Sequence, residues 1–154
     1  MKKGALLVIK TLEGLVSNTI TPVPQSYFLK EGESPKSAPK IFPEDCIINW
    51  NKSSETINNL VRGLSPSPCA RTFIEKDENT LMLKIYESIP EYEEHSLKPG
   101  EIISNNKDSF KIACAEGLLN IISLQLEGRK KMSVPEFLRG FRISEYKIVP
   151  NKPA

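Results

Sequence analysis

The first sixteen residues carry a helical hydrophobic period. At 100° per residue Ala5, Val8, Ile9, Leu12 and Val16 share a face, with Lys10, Thr11 and Glu13 turned away from it. Leu6 and Leu7 lie off that face, so a helix over 3–16 has a broad apolar arc that needs something large to sit against. A second helix is predicted over 53–63. Ile57, Leu60, Val61 and Leu64 have the i, i+3, i+4, i+7 spacing, Ser53 or Ser54 serves as N-cap, and Gly63 lies near the end. Leu64-Ser-Pro-Ser-Pro68 then imposes an extended turn. From residue 70 the period moves toward two. Residues 70–76 predict a strand, and over 80–89 Leu81, Leu83, Ile85 and Ile89 alternate with Thr80, Lys84, Tyr86 and Ser88. Pro99-Gly100 opens a strand at 101–104, and Asn105-Asn-Lys-Asp108 is a turn. A strand over 109–115 sets Phe110, Ile112 and Cys114 on one face. Glu116-Gly117 turns into 118–126, where Leu118, Ile122, Leu124 and Leu126 share a face. Ser133-Val-Pro-Glu136 is a capping box, with Ser133 at N-cap and Glu136 at N3, so a short helix starts at Val134 and ends by Gly140.

Between the first helix and residue 46 no regular element fits. Pro22, Pro24, Pro35, Pro39 and Pro43 forbid helix interiors and central strands. The chain therefore reads as a helix at 1–17, an extended Pro-rich linker at 18–45 and a folded domain at 46–150. Five short strands with hairpin-like connections predict a small closed or partly closed antiparallel barrel. The fold class is mainly β with flanking helices (α+β).

Composition adds exclusions. The 154 residues are 39% hydrophobic and 26% charged, enough for one domain with a sizeable core. The net charge of +2 does not by itself mark a nucleic-acid binder. Cys46, Cys69 and Cys114 are odd in number and widely spaced, which argues against a disulfide framework or a cysteine zinc site and fits a reducing cytosol. One histidine, His95, excludes a multi-histidine metal site. The apolar run after Lys3 stops at Lys10 without a small-residue cleavage site, and no stretch approaches a membrane span. A cytoplasmic protein without membrane or metal partners is expected.

Three clusters carry possible chemistry. His95, in Glu91-Tyr-Glu-Glu-His-Ser96, is read as a surface-loop residue and not a general base, because no second catalytic group accompanies it. The carboxylates of 75–94 face only Lys76 and Lys84 and read as a solvated acidic edge. Residues 128–142 set Arg129, Lys130, Lys131, Arg139 and Arg142 against the single carboxylate Glu136. That cluster is either a phosphate-binding patch or a solvated basic face, and the uneven charge along the chain favours the patch. Arg62 and the linker lysines Lys36 and Lys40 offer a second line of contact. No phosphate-binding loop, nucleophile elbow or H-E-x-x-H is present.

A set of segments in fixed order has a wider meaning. They are Gly4-Ala-Leu-Leu-x-x-x-Lys-Thr-Leu-Glu-Gly14, Val23-Pro-Gln25, Ala38-Pro-Lys40, Ile48-Asn-Trp50, Val61-Arg-Gly-Leu-x-Pro-x-Pro68, Pro99-Gly-Glu-Ile102, and Gly117-Leu-Leu-Asn-Ile-Ile-Ser-Leu-Gln125 leading to Gly128-Arg-Lys-Lys-Met132. Together they resemble the C-terminal half of bacterial methionyl-tRNA formyltransferases, over about residues 3–143. The resemblance implies an OB-like barrel that helps hold the initiator tRNA. It also implies a separate Rossmann-like catalytic half that transfers formyl from 10-formyltetrahydrofolate through an Asn-His-Asp constellation. This chain starts at what resembles the last helix of that catalytic half. The folate site and the catalytic set are thus expected outside it, and the chain alone is expected to be inactive and to hold no cofactor. It carries Ser67 where many relatives have Trp, and Cys69 where many have Gly. Alternatives are the accessory barrel of a sugar-nucleotide or other folate-dependent formyltransferase, or a truncated product with no independent role.

Overall fold

A computed structural model describes residues 2–30, 32–35 and 37–150. The chain divides into two units, Met1–Lys40 and Ile41–Ala154. In the first, α1 (Lys2–Val16) ends in a left-handed cap. Asn18 has φ +52°, Thr19 N–H donates to Gly14 C=O at 2.9 Å, and Asn18 N–H donates to Leu15 C=O at 3.2 Å. These two bonds form a Schellman motif, which satisfies carbonyls the helix end would otherwise orphan. Ile20 folds back over Gly14, leaving no room for a Cβ there. The stretch that follows is mostly without regular structure, as its prolines require, but Gln25–Phe28 winds into one 3-10 turn with Tyr27 and Phe28 edge to face at 5.5 Å.

The second unit is the barrel. Its elements are α2 (Ser54–Leu64), β1 (Ala70–Lys76), β2 (Asn79–Glu91), β3 (Ile102–Ser104), β4 (Phe110–Ala113), β5 (Leu118–Leu126), β6 (Met132–Ser133), α3 (Val134–Leu138) and β7 (Lys147–Val149). The strands form one antiparallel sheet in the order β3-β4-β5-β2-β1-β7, with β6 on β5 beyond the end of β4. A Cβ at Gly100, just before β3, would lie 3.4 Å from Ile148 of β7, so the two ends of the sheet approach and the barrel nearly closes. Seven strands replace the expected five. The two extra ones, β6 and β7, have two and three residues, too short for an alternating pattern to register.

Ser53 caps α2 as its sequence position requires, its Oγ accepting from Thr56 N–H at 3.3 Å. Ile57, Val61 and Leu64 of α2 are buried in the core with Leu83, Ile85, Leu119, Ile121 and Leu124 of the sheet. Trp50 is buried too, its indole N–H donating to Thr72 Oγ1 at 3.1 Å. Burying each such aliphatic side chain contributes roughly 1.5–3 kcal/mol.

The strict alternation expected in β2 and β5 fails midway. The β2–β5 ladder pairs Ile85 with Leu124, then Glu87 with Ser123, then Ser88 with Ile121. Tyr86 and Ile122 are each skipped, so the phase slips by one residue on both strands. Ile121 is therefore buried and Ile122 faces out, against the expectation that Ile122 shares a face with Leu118, Leu124 and Leu126. The same slip turns Ile89 outward, although the alternation placed it with Leu81, Leu83 and Ile85.

Candidate nucleic-acid interface

The basic residues of 129–131 sit on the exposed connection between β5 and β6. Its geometry is set by neighbours and not by the charges. Glu127 pairs with the β2 backbone, its N–H donating to Met82 C=O and its Oε2 accepting from Met82 N–H, both at 2.9 Å. Gly128 adopts φ +75°, which a side chain would resist. Tyr86 Oη donates to Gln125 Oε1 at 2.8 Å, and Gln125 Nε2 donates to Arg129 C=O at 2.7 Å. The loop backbone is thus tied down while Arg129, Lys130 and Lys131 keep their heads exposed.

Lys131 is only loosely engaged. Its Nζ lies 3.3 Å from Glu87 Oε1 and 4.8 Å from the centroid of the Tyr86 ring. A pair this exposed contributes less than about 1 kcal/mol, so a phosphate can replace Glu87 at little cost. Arg62, exposed on α2, lines a groove with Tyr86 and Glu87, and its Nη2 donates to Asn59 Oδ1 at 3.0 Å.

Lys84 joins this face, a cation that the sequence did not single out, and Arg71 lies beside it with its Nη2 donating to Pro43 C=O at 3.0 Å. Arg71 pairs across the strands with Lys84, and Lys84 with Gln125, forming one outward row that runs to the loop. Burial pushes the Cys69 thiol above its ordinary value, and the positive charges of Lys84, Lys131 and Arg71 pull it the other way. Alternation does mark Lys84 as outward, but its alignment with Arg71 and the 129–131 loop depends on strand register.

Arg139 and Arg142 follow α3 and line a different groove, with Lys107 of the β3–β4 turn. The start of α3 is as the capping box predicts. Glu136 Oε2 accepts from Ser133 N–H at 2.9 Å and from Ser133 Oγ at 2.7 Å. These bonds, the backbone one first, hold the Glu136 carboxyl below its ordinary value, and Lys130 and Arg139 lower it further. The loop and the second groove therefore flank the same carboxylate. Lys40 belongs to the first unit, and Lys36 lies outside the described residues.

The other two clusters differ from expectation. His95 is half-buried and not a free surface group. Its Nδ1 accepts from Leu97 N–H at 3.2 Å, which leaves Nε2 to donate to Gly117 C=O at 2.9 Å. Both ring nitrogens are occupied in fastening the 92–98 loop to the β4–β5 turn, and neither is available as a base. The acidic stretch is not simply solvated. Glu75 pairs with Lys147, Glu87 with Lys131 and Glu91 with Lys111, while Lys76 of the same stretch takes Glu145. Among the described residues no His, Cys, Asp and Glu cluster is arranged to hold a metal ion. No helix among them is long and apolar enough to cross a membrane. All three cysteines are buried and unpaired, and burial pushes the Cys114 thiol up to about 12.

An antiparallel, nearly closed barrel with a helix packed on its sheet and a short capped helix after its last long strand is the class of domain that the structure defines. A family model described as the C-terminal domain of formyl transferases matches residues 40–142, and the chain belongs to that family. It is 38% identical over 146 residues to the methionyl-tRNA formyltransferase of Phocaeicola vulgatus, covering 94% of this chain and 45% of that protein. The corresponding enzyme of Flavobacterium johnsoniae is 40% identical over 146 residues, covering 94% of this chain and 44% of that protein. The chain thus spans less than half the length of these relatives and matches their C-terminal part. HypX from Aquifex aeolicus, in a solved variant structure, shares the fold with a TM-score of 0.58 at 21% identity, over 88% of this chain and 23% of that one.

Proposed function

We propose that these residues form the tRNA-holding C-terminal part of a methionyl-tRNA formyltransferase, acting in the cytoplasm in translation initiation. The initiator tRNA is the partner. The donor 10-formyltetrahydrofolate and the acid–base chemistry of formyl transfer are assigned outside residues 1–154, in keeping with a His95 ring whose nitrogens are both bonded to backbone.

The observation that carries this reading is the 129–131 loop. Its backbone is fixed by Gln125, and its three cationic residues are exposed near Lys84 and Arg62. Fixed backbone with exposed cationic ends suits phosphate contacts, which position an RNA without reading its sequence. Each neutralised phosphate on a duplex adds roughly 0.9 to the log–log dependence of affinity on salt. Changing Arg129, Lys130 and Lys131 together to Ala is expected to weaken tRNA binding and to flatten that slope by roughly two to three units. Folding should hardly change, because exposed charges add little stability. Titration of tRNA at several salt concentrations, with thermal melts alongside, is the check. An unchanged slope in the folded triple variant would refute the loop's role.

A further inference from the structure

Tyr86 touches Gln125 through its hydroxyl and Lys131 through its ring, and it lines the groove beside Arg62. We infer that Tyr86 is a positioning residue. From a bulge in β2 it sets both the backbone of the 129–131 loop and the head of Lys131 in the arrangement that receives phosphate. This rests on the proposed tRNA reading and assigns to that site the side chains that order it.

The bulge brings Tyr86 within reach of the loop. Ile85 pairs with Leu124 and Glu87 with Ser123, so Tyr86 has no residue opposite it on β5. A residue left out of the ladder in this way has its side chain re-aimed. Tyr86 leans diagonally to Gln125, whose own partner on β2 is Lys84, and its Oη donates to Gln125 Oε1 at 2.8 Å.

That bond fixes which way the Gln125 amide points. A primary amide has an acceptor at one end and two donors at the other. With Oε1 turned to the tyrosine hydroxyl, Nε2 faces Arg129 C=O and donates to it at 2.7 Å. A flipped amide would set two oxygens against each other there. The hydroxyl thus holds the loop backbone through one intermediary.

The ring acts on the other end of the loop. Lys131 Nζ lies 4.8 Å from the ring centroid and 3.3 Å from Oε1 of Glu87, the next residue on β2. An ammonium over an aromatic face is held without using up its N–H donors, which stay available to a further anion. One side chain therefore orders residues 129 and 131 by two different contacts. Ordering them before binding removes part of the entropy cost that association otherwise carries.

The test separates the hydroxyl from the ring. Tyr86→Phe keeps a ring that can stack on a base or hold Lys131, and loses only the hydroxyl. Gln125→Met keeps the length of the side chain and loses both polar ends. The full chain is titrated with an initiator tRNA transcript at several salt concentrations. Each variant is expected to bind about three- to tenfold more weakly, the range for one lost hydrogen bond, with the log–log salt slope unchanged because no charge is removed. The double variant should be little weaker than either single one, since both break the same relay. Hydrogen exchange without RNA is the second measurement. The Arg129 amide, which donates to Leu126 C=O at 2.9 Å, should exchange about three- to tenfold faster in each variant. A lower thermal midpoint with unchanged affinity of the folded protein would make the relay purely structural and overturn the positioning role, as would an additive loss in the double variant. Unchanged affinity in both folded variants, with the Arg129, Lys130 and Lys131 variant impaired, also overturns it and leaves the tRNA reading intact. No tRNA binding by the unaltered chain overturns the tRNA reading itself, and unchanged Arg129 exchange overturns the relay in either case.

Discussion

Helices α1 and α2 have the same kind of sequence pattern and opposite surroundings. Each has aliphatic residues at helical spacing. In α2 that face is buried, with Ile57, Val61 and Leu64 at 5% exposure or less. In α1 Leu12 is 56% exposed and Val16 85%, and Gly14 is its one buried residue among those described. Periodicity identifies which face of a helix is apolar but not what covers it. The energetic consequence is large. A free helix of about 15 residues is marginal in water, and packing of its apolar face supplies most of its stability in a protein. In α2 that packing is supplied by the sheet. Within its own unit α1 has a local device instead, the Schellman bonds at Gly14 and Leu15.

The sharpest break of this comparison is a matched truncation. Ile57→Ala leaves a cavity at a site 2% exposed and is expected to cost about 2–5 kcal/mol. Ile9→Ala, at 53% exposure, removes little buried surface and replaces a β-branched residue by the best helix former, so its effect should stay within about 0.5 kcal/mol. Urea unfolding of the chain followed by Trp50 fluorescence measures both. Equal costs would mean that the apolar face of α1 is buried in solution.

The same contrast explains what the sequence could and could not reveal. Strands 70–76 and 118–126 are found with the boundaries predicted, because alternation and turn residues agree there. The capped start of α3 is found for the same reason, since a capping box is a purely local device. The errors concern relations between strands. Nothing in residues 80–89 or 118–126 taken singly indicates that Tyr86 and Ile122 are skipped, because a bulge exists only relative to a partner strand. The candidate site divides in the same way. The 129–131 loop was legible as a run of charge. The alignment of Arg71 with Lys84, and of Lys107 with Arg139 and Arg142, depends on register and closure, and residues far apart in the chain carry no local signal of either.

Helix α3 sharpens the comparison through pH. Its five residues are too few to persist without the cap. Glu136 is held below its ordinary value chiefly by the Ser133 N–H. A depressed carboxyl contributes stability that is present above its unfolded value, about 4.3, and is lost as pH falls through the lower folded value. The thermal midpoint of the unaltered chain is therefore expected to exceed that of Glu136→Gln at neutral pH, and the gap to close below about pH 4. A gap independent of pH would mean that the carboxylate charge plays no part in the cap. Ser133→Ala removes the other half of the box and should cost about 0.5–2 kcal/mol at any pH where Glu136 is ionised.

The smallest effect expected lies where the two longer helices end. Helix α1 is followed by Asn18 at φ +52°, a residue type that accepts the left-handed region. The connection after α2 needs the same region at Cys69, φ +73°, whose N–H donates to Leu64 C=O at 2.9 Å. A non-glycine residue pays about 1–2 kcal/mol for that conformation. The Cys69 thiol offsets part of it, being buried and donating to Ile85 C=O at 3.2 Å. Cys69→Gly removes the strain and the thiol together, and also loosens the unfolded chain, so the net change should lie within about 1 kcal/mol. Cys69→Ala loses the sulfur and keeps the strain. Glycine should therefore be the more stable replacement by up to about 1 kcal/mol, the reverse of the order at an ordinary position. Urea midpoints of the two variants decide it, and alanine ranking above glycine would show that the left-handed geometry at Cys69 carries no strain.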